Sequence, residues 1–499
     1  VLEGHSVAHT ASAPALSPVE GVSSSAQGAE PVVLKPELGL FSATAIVAGG
    51  MIGSGIFIVS AETARTVGTE PLLLLVWAFA GLLTILGGLS YGKFAAYAPQ
   101  AGGQYVFLKQ SWGDLPGFLY GWAMFLVIQT GTLAAVAVAF AKFLGVLLPA
   151  VSSKSLLVLP LLNLGISSQQ LVAVGALLAL TAFNTTGVKN GALLQNLFTS
   201  LKVLALLIIL GVGLTMGTQL LDPAHGVAAG WQWSLPAAEY APLGGLASAF
   251  ALAMVGPLFA CDTWNYITFL GGEVKEPSKN LPRALAIGTG VVVVLYFLVN
   301  LGYVNLLPLS GIQHAAEDRV GTAALQQALG GFGVLMTTWM ILISTFGCLN
   351  GLMLAGARLF YAMAGDGMAL KWFGALHPTT RTPNASLWAQ CLWASLLALS
   401  GSYGQLLDYI IFTALVFYIL TMLGLIKLGR KMPEALHMTR WQDYALPIAY
   451  LVGVGYIGFY LLIGPGKWVT SLAGLGLTLS GLPVYFWWKS RRDASAAAA

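Results

Sequence analysis

Residues Gly49 to Phe57 read GGMIGSGIF, inside a segment from about Leu40 to Thr66 that is apolar and long enough to cross a bilayer as a helix. Glycine weakens a helix by roughly 1 kcal/mol relative to alanine, so Gly49, Gly50, Gly53 and Gly55 together place a break in mid-span. Main-chain amides and carbonyls in hydrocarbon must find partners, and an unwound stretch survives only where protein buries it or a wet cavity solvates it. Glycines there let a ligand approach the main chain. Unwinding at Gly53-Ser54-Gly55 frees amides at the positive end of the half-helix from Ile56 to Thr66, which suits a carboxylate. A plainer reading is open as well, since Gly49 and Gly53 make a GxxxG spacing that serves close helix packing.

Composition sets the solvent around this segment. With 57% hydrophobic and 8% charged residues over 499 positions, the chain is far from a soluble globule, whose charged share is about 25%. The net charge of +4 is no sign of nucleic-acid binding, because in a membrane protein the placement of charge matters more than its sum. Apolar runs of about 20 residues fall near 40–66, 71–97, 116–148, 169–187, 191–216, 243–272, 284–308, 331–363, 385–401, 404–427, 444–463 and 468–488, which predicts an all-α membrane protein of twelve spans. The stretch APQAGGQYVFLKQSWGD after the second run is too polar to cross and is expected along the membrane surface. Residues 1–38 read as a disordered tail and 489–499 as a second tail. Of the 23 Lys and Arg, only Arg65, Lys154, Arg319 and Lys467 fall on one side, with Lys142 and Lys202 inside spans. The rest gather on the other side, which makes it cytoplasmic and both termini with it.

The sixth run, FALAMVGPLFACDTWNYITFLGGEV, interrupts itself as the first does, with Gly256-Pro257 followed by Cys261-Asp262-Thr263. Proline removes a backbone donor and clashes with the preceding turn, at about 3 kcal/mol in a helix interior. The expected break frees carbonyls near Val255 to Ala260, at the negative end of a half-helix, where an ammonium fits. Paired interruptions at positions one and six point to two inverted five-helix repeats, 39–216 and 243–427, with two further helices in 444–488, and to a binding site between the breaks. One group for an acid and one for an amine describe a zwitterionic amino acid.

The motifs GGMIGSGIF, FACDTWNYITFLGGEVKEPSKNLPRAL and ISTFGCLNGLMLAGARLFYAMAGDG resemble the first, sixth and eighth segments of the amino acid, polyamine and organocation transporter superfamily, closest to its L-type amino acid transporter branch. The resemblance covers residues 38–430. It implies a LeuT-type five-plus-five fold with discontinuous helices one and six, and alternating access to a central amino acid. It also implies that Ile52, Gly53, Ser54 and Gly55 receive the substrate carboxylate, that carbonyls around Val255, Phe259 and Ala260 receive the amino group, that Phe259 is an outer gate, and that Asn265 lines the pocket. Ile128, Gln129 and Thr132 of the third run are further lining candidates.

A lysine deep in a span costs a few kcal/mol, and Lys202 lies too far from the end at Gly191 for easy snorkelling. In sodium-independent relatives a lysine at the matching place stands for a sodium ion and bonds the unwound backbone of span one and hydroxyls of span eight, for which Ser344 and Thr345 are candidates. Lys142, near an outer end, is expected to snorkel. Asp262 is either the N-cap of a half-helix beginning Thr263-Trp264-Asn265 or a proton carrier or partner for a cationic side chain. Glu273, Lys275, Glu276 and Arg358 form either a cytoplasmic latch or a solvated loop.

No clustered nucleophile and base, paired acids or metal ligands occur in the spans, so no enzyme, metal or cofactor is expected. Nor does a filter-like ring sequence suggest a channel. The expected function is sodium-independent exchange or uniport of neutral L-amino acids, with a proton-coupled or cationic amino acid symporter as the alternative resting on Asp262. Animal L-type carriers bind a heavy chain through a disulfide from the loop between spans three and four. That loop, LLPAVSSKSLLVLPLLNLGISS, has no cysteine here, so a bacterial inner-membrane carrier without such a partner is expected.

Overall fold

In a computed structural model, which describes residues 33–159, 164–219, 233–400, 403–464 and 468–497, the first apolar helix stops at Met51 and restarts at Gly55. Among the described residues seven helices are long and apolar enough to cross a membrane. The number is nine if each of two bent pairs counts as one span: Leu40–Met51 with Gly55–Val67, at 41°, and Ala237–Leu243 with Leu246–Ala260, at 59°. Residues 1–32, expected as a tail, lie outside the described residues, as do Lys467 and part of the loop between the third and fourth runs. Residues 37 and 38, assigned to the tail from sequence, instead meet the last residues of the sixth run: the Glu37 and Leu38 amides donate to Glu273 O at 2.8 and 2.9 Å, and Lys275 N returns a bond to Leu38 O at 2.8 Å.

Packing follows small residues. The long helix Pro277–Leu306 runs along Glu70–Tyr97, where a Cβ added at Gly81 would lie 2.4 Å from Val293 and one at Gly88 3.1 Å from Thr289. In hydrocarbon, where apolar burial alone gives no preference for protein over lipid, such close backbone approach supplies the association energy. Helix Val320–Gly365, kinked at Gly330 (φ 60°), packs on Val188–Met216 and on Gln129–Leu147, and so brings the eighth segment against both the lysine-bearing fifth and the third.

Three features differ from the expected all-helical spans. The loop after the third span carries a small antiparallel hairpin, Ser155–Leu159 with Leu164–Ser167. The third span, Asp114–Leu147, contains a π-helical turn at Met124–Ile128, an insertion that leaves no composition signal. The surface piece forms helix Gln104–Trp112 with Gln104, Tyr105, Phe107 and Leu108 buried, so it is packed into the protein rather than laid on the membrane.

Candidate functional site

A helix that ends leaves its last carbonyls without intrahelical donors. At the end of Leu40–Met51 the account closes with side chains from three other helices. Lys202 Nζ donates to Gly49 O at 2.6 Å and to Ile52 O at 2.7 Å. Cys348 Sγ donates to Gly50 O at 3.2 Å, and Tyr296 OH to Met51 O at 2.9 Å. Ser344 Oγ is shared between Ile52 O and Gly53 O at 3.1 and 3.0 Å. Lys202 is 1% exposed, and its charge is met by carbonyl dipoles at the negative end of the half-helix. Among the described residues no backbone carbonyl accepts from the amides of Ser54, Gly55 or Ile56, which open the second half-helix.

The hydroxyl partners differ from expectation. Ser344 joins the cluster but donates to Ile52 O, which the ammonium also meets, and to Gly53 O, instead of holding the ammonium itself. Thr345 turns to its own helix, donating to Ile341 O at 2.8 Å and Leu342 O at 3.2 Å, as buried threonines do when the preceding turn offers the nearest acceptor.

The second break falls at the later of the two places expected for it. Helix Leu246–Ala253 turns at Met254 and continues as Val255–Ala260, so Gly256-Pro257 lies inside a restarted helix. Pro257 sits in its first turn, where a missing N–H removes no intrahelical bond. The chain unwinds at Cys261–Thr263, with Thr263 in the left-handed region at φ 69°, before the 3-10 turns Trp264–Phe269. Phe259 O, expected among the freed carbonyls, accepts Asp262 N at 3.1 Å.

The two breaks abut. A Cβ on Gly55 would lie 2.7 Å from Ala260 Cβ and 3.0 Å from its Cα, and one on Gly50 3.0 Å from Thr263 Oγ1. Tyr296, besides holding Met51 O, reaches Ala260 O at 3.4 Å. Because Gly55 faces backbone that no rotamer change can move, Gly55→Ala is expected to destabilise the junction by about 1–3 kcal/mol. Its uptake rate should fall at least about tenfold, whereas Gly175→Ala, which meets nothing within 4 Å, should leave the rate unchanged. Initial uptake rates in proteoliposomes check both.

Two clefts adjoin the unwound part of span six. One, of about 30 Å³, is bordered by Phe259, Asp262, Trp264, Thr84 and Tyr418 among others. Its neighbour, of about 10 Å³, is bordered by Ile128, Asn265, Asp262, Gln104 and Tyr418. Each has room for about one or two waters. Ile128 and Asn265 therefore meet in one cleft and Phe259 lies in the other, with Asp262 common to both. Val255 is partly buried and borders neither. Gln129 faces away, donating to Leu352 O at 2.7 Å, and Thr132 bonds Ile128 O at 2.6 Å.

The N-cap expected of Asp262 falls to Thr263, whose side chain caps nothing. The Asp262 carboxylate, with the Thr263 amide in reach, accepts from Tyr418 OH at 2.5 Å. Asn265 Nδ2 donates to Gln104 Oε1 at 2.9 Å, and Gln104 Nε2 to Thr421 Oγ1 at 3.1 Å. Tyr296, Tyr418 and Gln104 escaped the sequence reading because a lone tyrosine or glutamine in or beside a span looks like ordinary packing.

At the far end of span six, Arg358 Nε and Nη2 donate to Glu273 Oε2 and Oε1 at 2.9 and 3.1 Å. Glu276 takes no part and pairs with Lys279 on the surface. At the opposite end of the bundle Lys142 is paired with Glu317 at 3.0 Å and Arg65 with Asp318 at 2.7 Å, so Lys142 has an acidic partner where only snorkelling was expected. Bonds from Lys142 and Arg319 hold the Glu317 carboxyl below the usual carboxylate range.

Comparison with known proteins places these features in a family. The family model described as Amino acid permease matches residues 38–482. The chain is similar to Asc-type amino acid transporter 1 of Homo sapiens, at 30% identity over 93% of this chain and 84% of the relative. It is similar to Large neutral amino acids transporter small subunit 2 of Mus musculus, at 31% over 91% and 81%, and to Serine/threonine exchanger SteT of Bacillus subtilis, at 27% over 92% and 98%. With a match that spans nearly all of the described helices, the chain belongs to the amino acid permease family of the amino acid, polyamine and organocation superfamily.

Proposed function

We propose that the chain is a sodium-independent carrier that exchanges or uniports neutral L-amino acids by alternating access. It would work in a bacterial inner membrane, with twelve spans, both termini cytoplasmic, and inverted repeats at 39–216 and 243–427. The observation that carries this reading is the Lys202 ammonium at 2.6 and 2.7 Å from two carbonyls of the broken span. A cation fixed covalently to the neighbouring helix does at all times what a bound sodium ion would do only when loaded. The substrate carboxylate would take the amides of Gly53, Ser54 and Gly55, and its amino group the remaining lone pairs of carbonyls around Val255 and Phe259. Gly55 and Ala260 touch, and the adjoining clefts hold no more than waters, so the halves must part to admit an amino acid. The names of the relatives, a serine/threonine exchanger and a large neutral amino acid transporter among them, support a neutral side chain.

Proteoliposomes preloaded with an unlabelled neutral amino acid test the proposal. Labelled uptake should be the same in sodium and choline buffers and should collapse without internal amino acid if the carrier exchanges, or persist as downhill flux if it uniports. A requirement for sodium would overturn the reading. A second reading, proton-coupled or cationic amino acid symport, rests on Asp262 beside Tyr418. Uptake that proceeds only under an imposed pH gradient, and loses that dependence in Asp262→Asn, would replace the first reading with the second. The purified polypeptide alone should be active, because the loop between spans three and four has no cysteine to bond a heavy chain.

A further inference from the structure

A cavity of about 320 Å³, lined solely by apolar and aromatic side chains, opens between five elements, and none of its lining residues belongs to the central site. Trp122 and Phe125 come from the start of span three, Phe360 from the end of helix Val320–Gly365, and Trp372 from the short turn Lys371–Gly374. Trp393 comes from Asn384–Ser400 and Trp488 from the last helix. A wall without polar partners does not hold water well, and in a membrane the available filler is lipid hydrocarbon. The rim supports that direction, since Leu370, Trp372 and Leu392 are 44%, 50% and 65% exposed, and tryptophans at such a mouth match the headgroup level of a bilayer.

Charge at the rim narrows the occupant. Lys371 is exposed between the lining residues Leu370 and Trp372, Lys489 is exposed next to Trp488, and the Arg491 guanidinium lies 4.3 Å over the Trp487 ring. Neither Lys371 nor Lys489 has an acidic partner among the described residues, and the nearby Asp366 is held by Lys109 at 2.7 Å and by Tyr105. Unpaired ammonium groups beside a dry hydrocarbon slot complement one kind of molecule, a phosphate carrying long alkyl chains. We propose that this cavity is a binding site for an anionic phospholipid of the leaflet on the basic face of the protein. One acyl chain would lie in the aromatic slot, with the phosphate between Lys371 and Lys489.

The test is retention of added lipid by the purified full chain in mild detergent, read by native mass spectrometry. The probes are phosphatidylglycerol and phosphatidylethanolamine with identical acyl chains. Wild type is expected to retain phosphatidylglycerol at least about fivefold more than phosphatidylethanolamine, the effect of roughly one engaged basic residue. Lys371→Gln with Lys489→Gln, both at exposed positions, should bring that ratio to about one and leave some chain binding. Ala389→Trp, which fills the slot, should remove retention of both lipids. Equal retention of the two lipids by wild type overturns the proposal and leaves detergent or zwitterionic lipid as the filler. Undiminished selectivity in the double lysine variant overturns it as well, and this arm does not depend on whether Ala389→Trp folds. None of these readouts involves transport, so failure here leaves the proposed carrier function untouched, and the reverse holds too.

Discussion

Lys202→Met should cut amino acid exchange by about a hundredfold while shifting the melting temperature by only a few degrees. The two effects separate because different terms govern them. For stability, methionine keeps the chain length and packing but deletes two charge-assisted bonds, each worth about 1.5–3 kcal/mol. Against that, it removes a buried ammonium with a burial cost of about 2.5–3.5 kcal/mol on insertion scales. Ser344 still serves Ile52 O, so Gly49 O is the one carbonyl left bare, at about 1–3 kcal/mol. The losses exceed the relief by a few kcal/mol, which in a chain of 499 residues moves the midpoint by only a few degrees, because the unfolding entropy grows with chain length. The functional effect is larger, because the ammonium fixes the distance between Gly49 and Ile52 and so the aim of the amides that follow. A displacement of about 1 Å at a reacting or binding geometry costs on the order of a hundredfold. Counterflow rates and thermal-shift midpoints measured on the same preparations check the separation. A variant that exchanges at the wild-type rate would remove the support for a lysine in place of sodium. Lys202→Arg is no safe substitute, since a guanidinium is larger and rigidly planar where a compact ammonium is enclosed at 1% exposure.

How far the sequence foretold this geometry depends on which residue type marked each feature. Glycine marks an interruption because four in nine residues weaken a helix more than close packing alone requires, and the first half-helix indeed ends at Met51 while the next starts at Gly55. Proline misled at the sixth span. Its penalty applies in a helix interior, and the turn at Met254 resets the count so that Pro257 falls in a first turn. The interruption lies at Cys261-Asp262-Thr263, the other stretch that the sequence marked, and passes through Thr263 at φ 69°, a conformation that threonine rarely adopts. Lys202 was legible because a charge in hydrocarbon demands a reason. Tyr296, which donates to Met51 O and reaches Ala260 O, was not, because a tyrosine amid apolar residues costs nothing that a reader could notice. The π-helical turn at Met124–Ile128 was illegible for a different reason: one extra residue in a helix changes the phase of its faces without changing composition.

The largest stability effect is expected at the far end of span six, where Arg358 is 0% exposed and its ion pair with Glu273 is bidentate at 2.9 and 3.1 Å. Glu273→Gln leaves the guanidinium buried, with a bond to its own helix at Leu354 O and a weaker partner in the amide. Breaking a buried pair in this way costs about 3–5 kcal/mol. Arg358→Met should cost a comparable amount by stranding the carboxylate. The double variant should recover a large part of the loss, because it removes both ionic desolvation penalties along with the attraction and leaves only a neutral amide to satisfy. Equilibrium unfolding in mixed micelles gives the three values, and costs that simply add would show that the pair is not the source of the effect. The same cycle bears on motion. Glu273 O also anchors the Glu37 and Leu38 amides, so the ion pair joins the far end of span six to span eight at the point where the chain enters span one. A carrier that opens inward by parting these elements must break the pair in every turnover, whereas one that pivots around them keeps it. A double variant that is stable and exchanges faster than wild type indicates parting, and one that is stable but slower indicates a pivot that has lost its bearing.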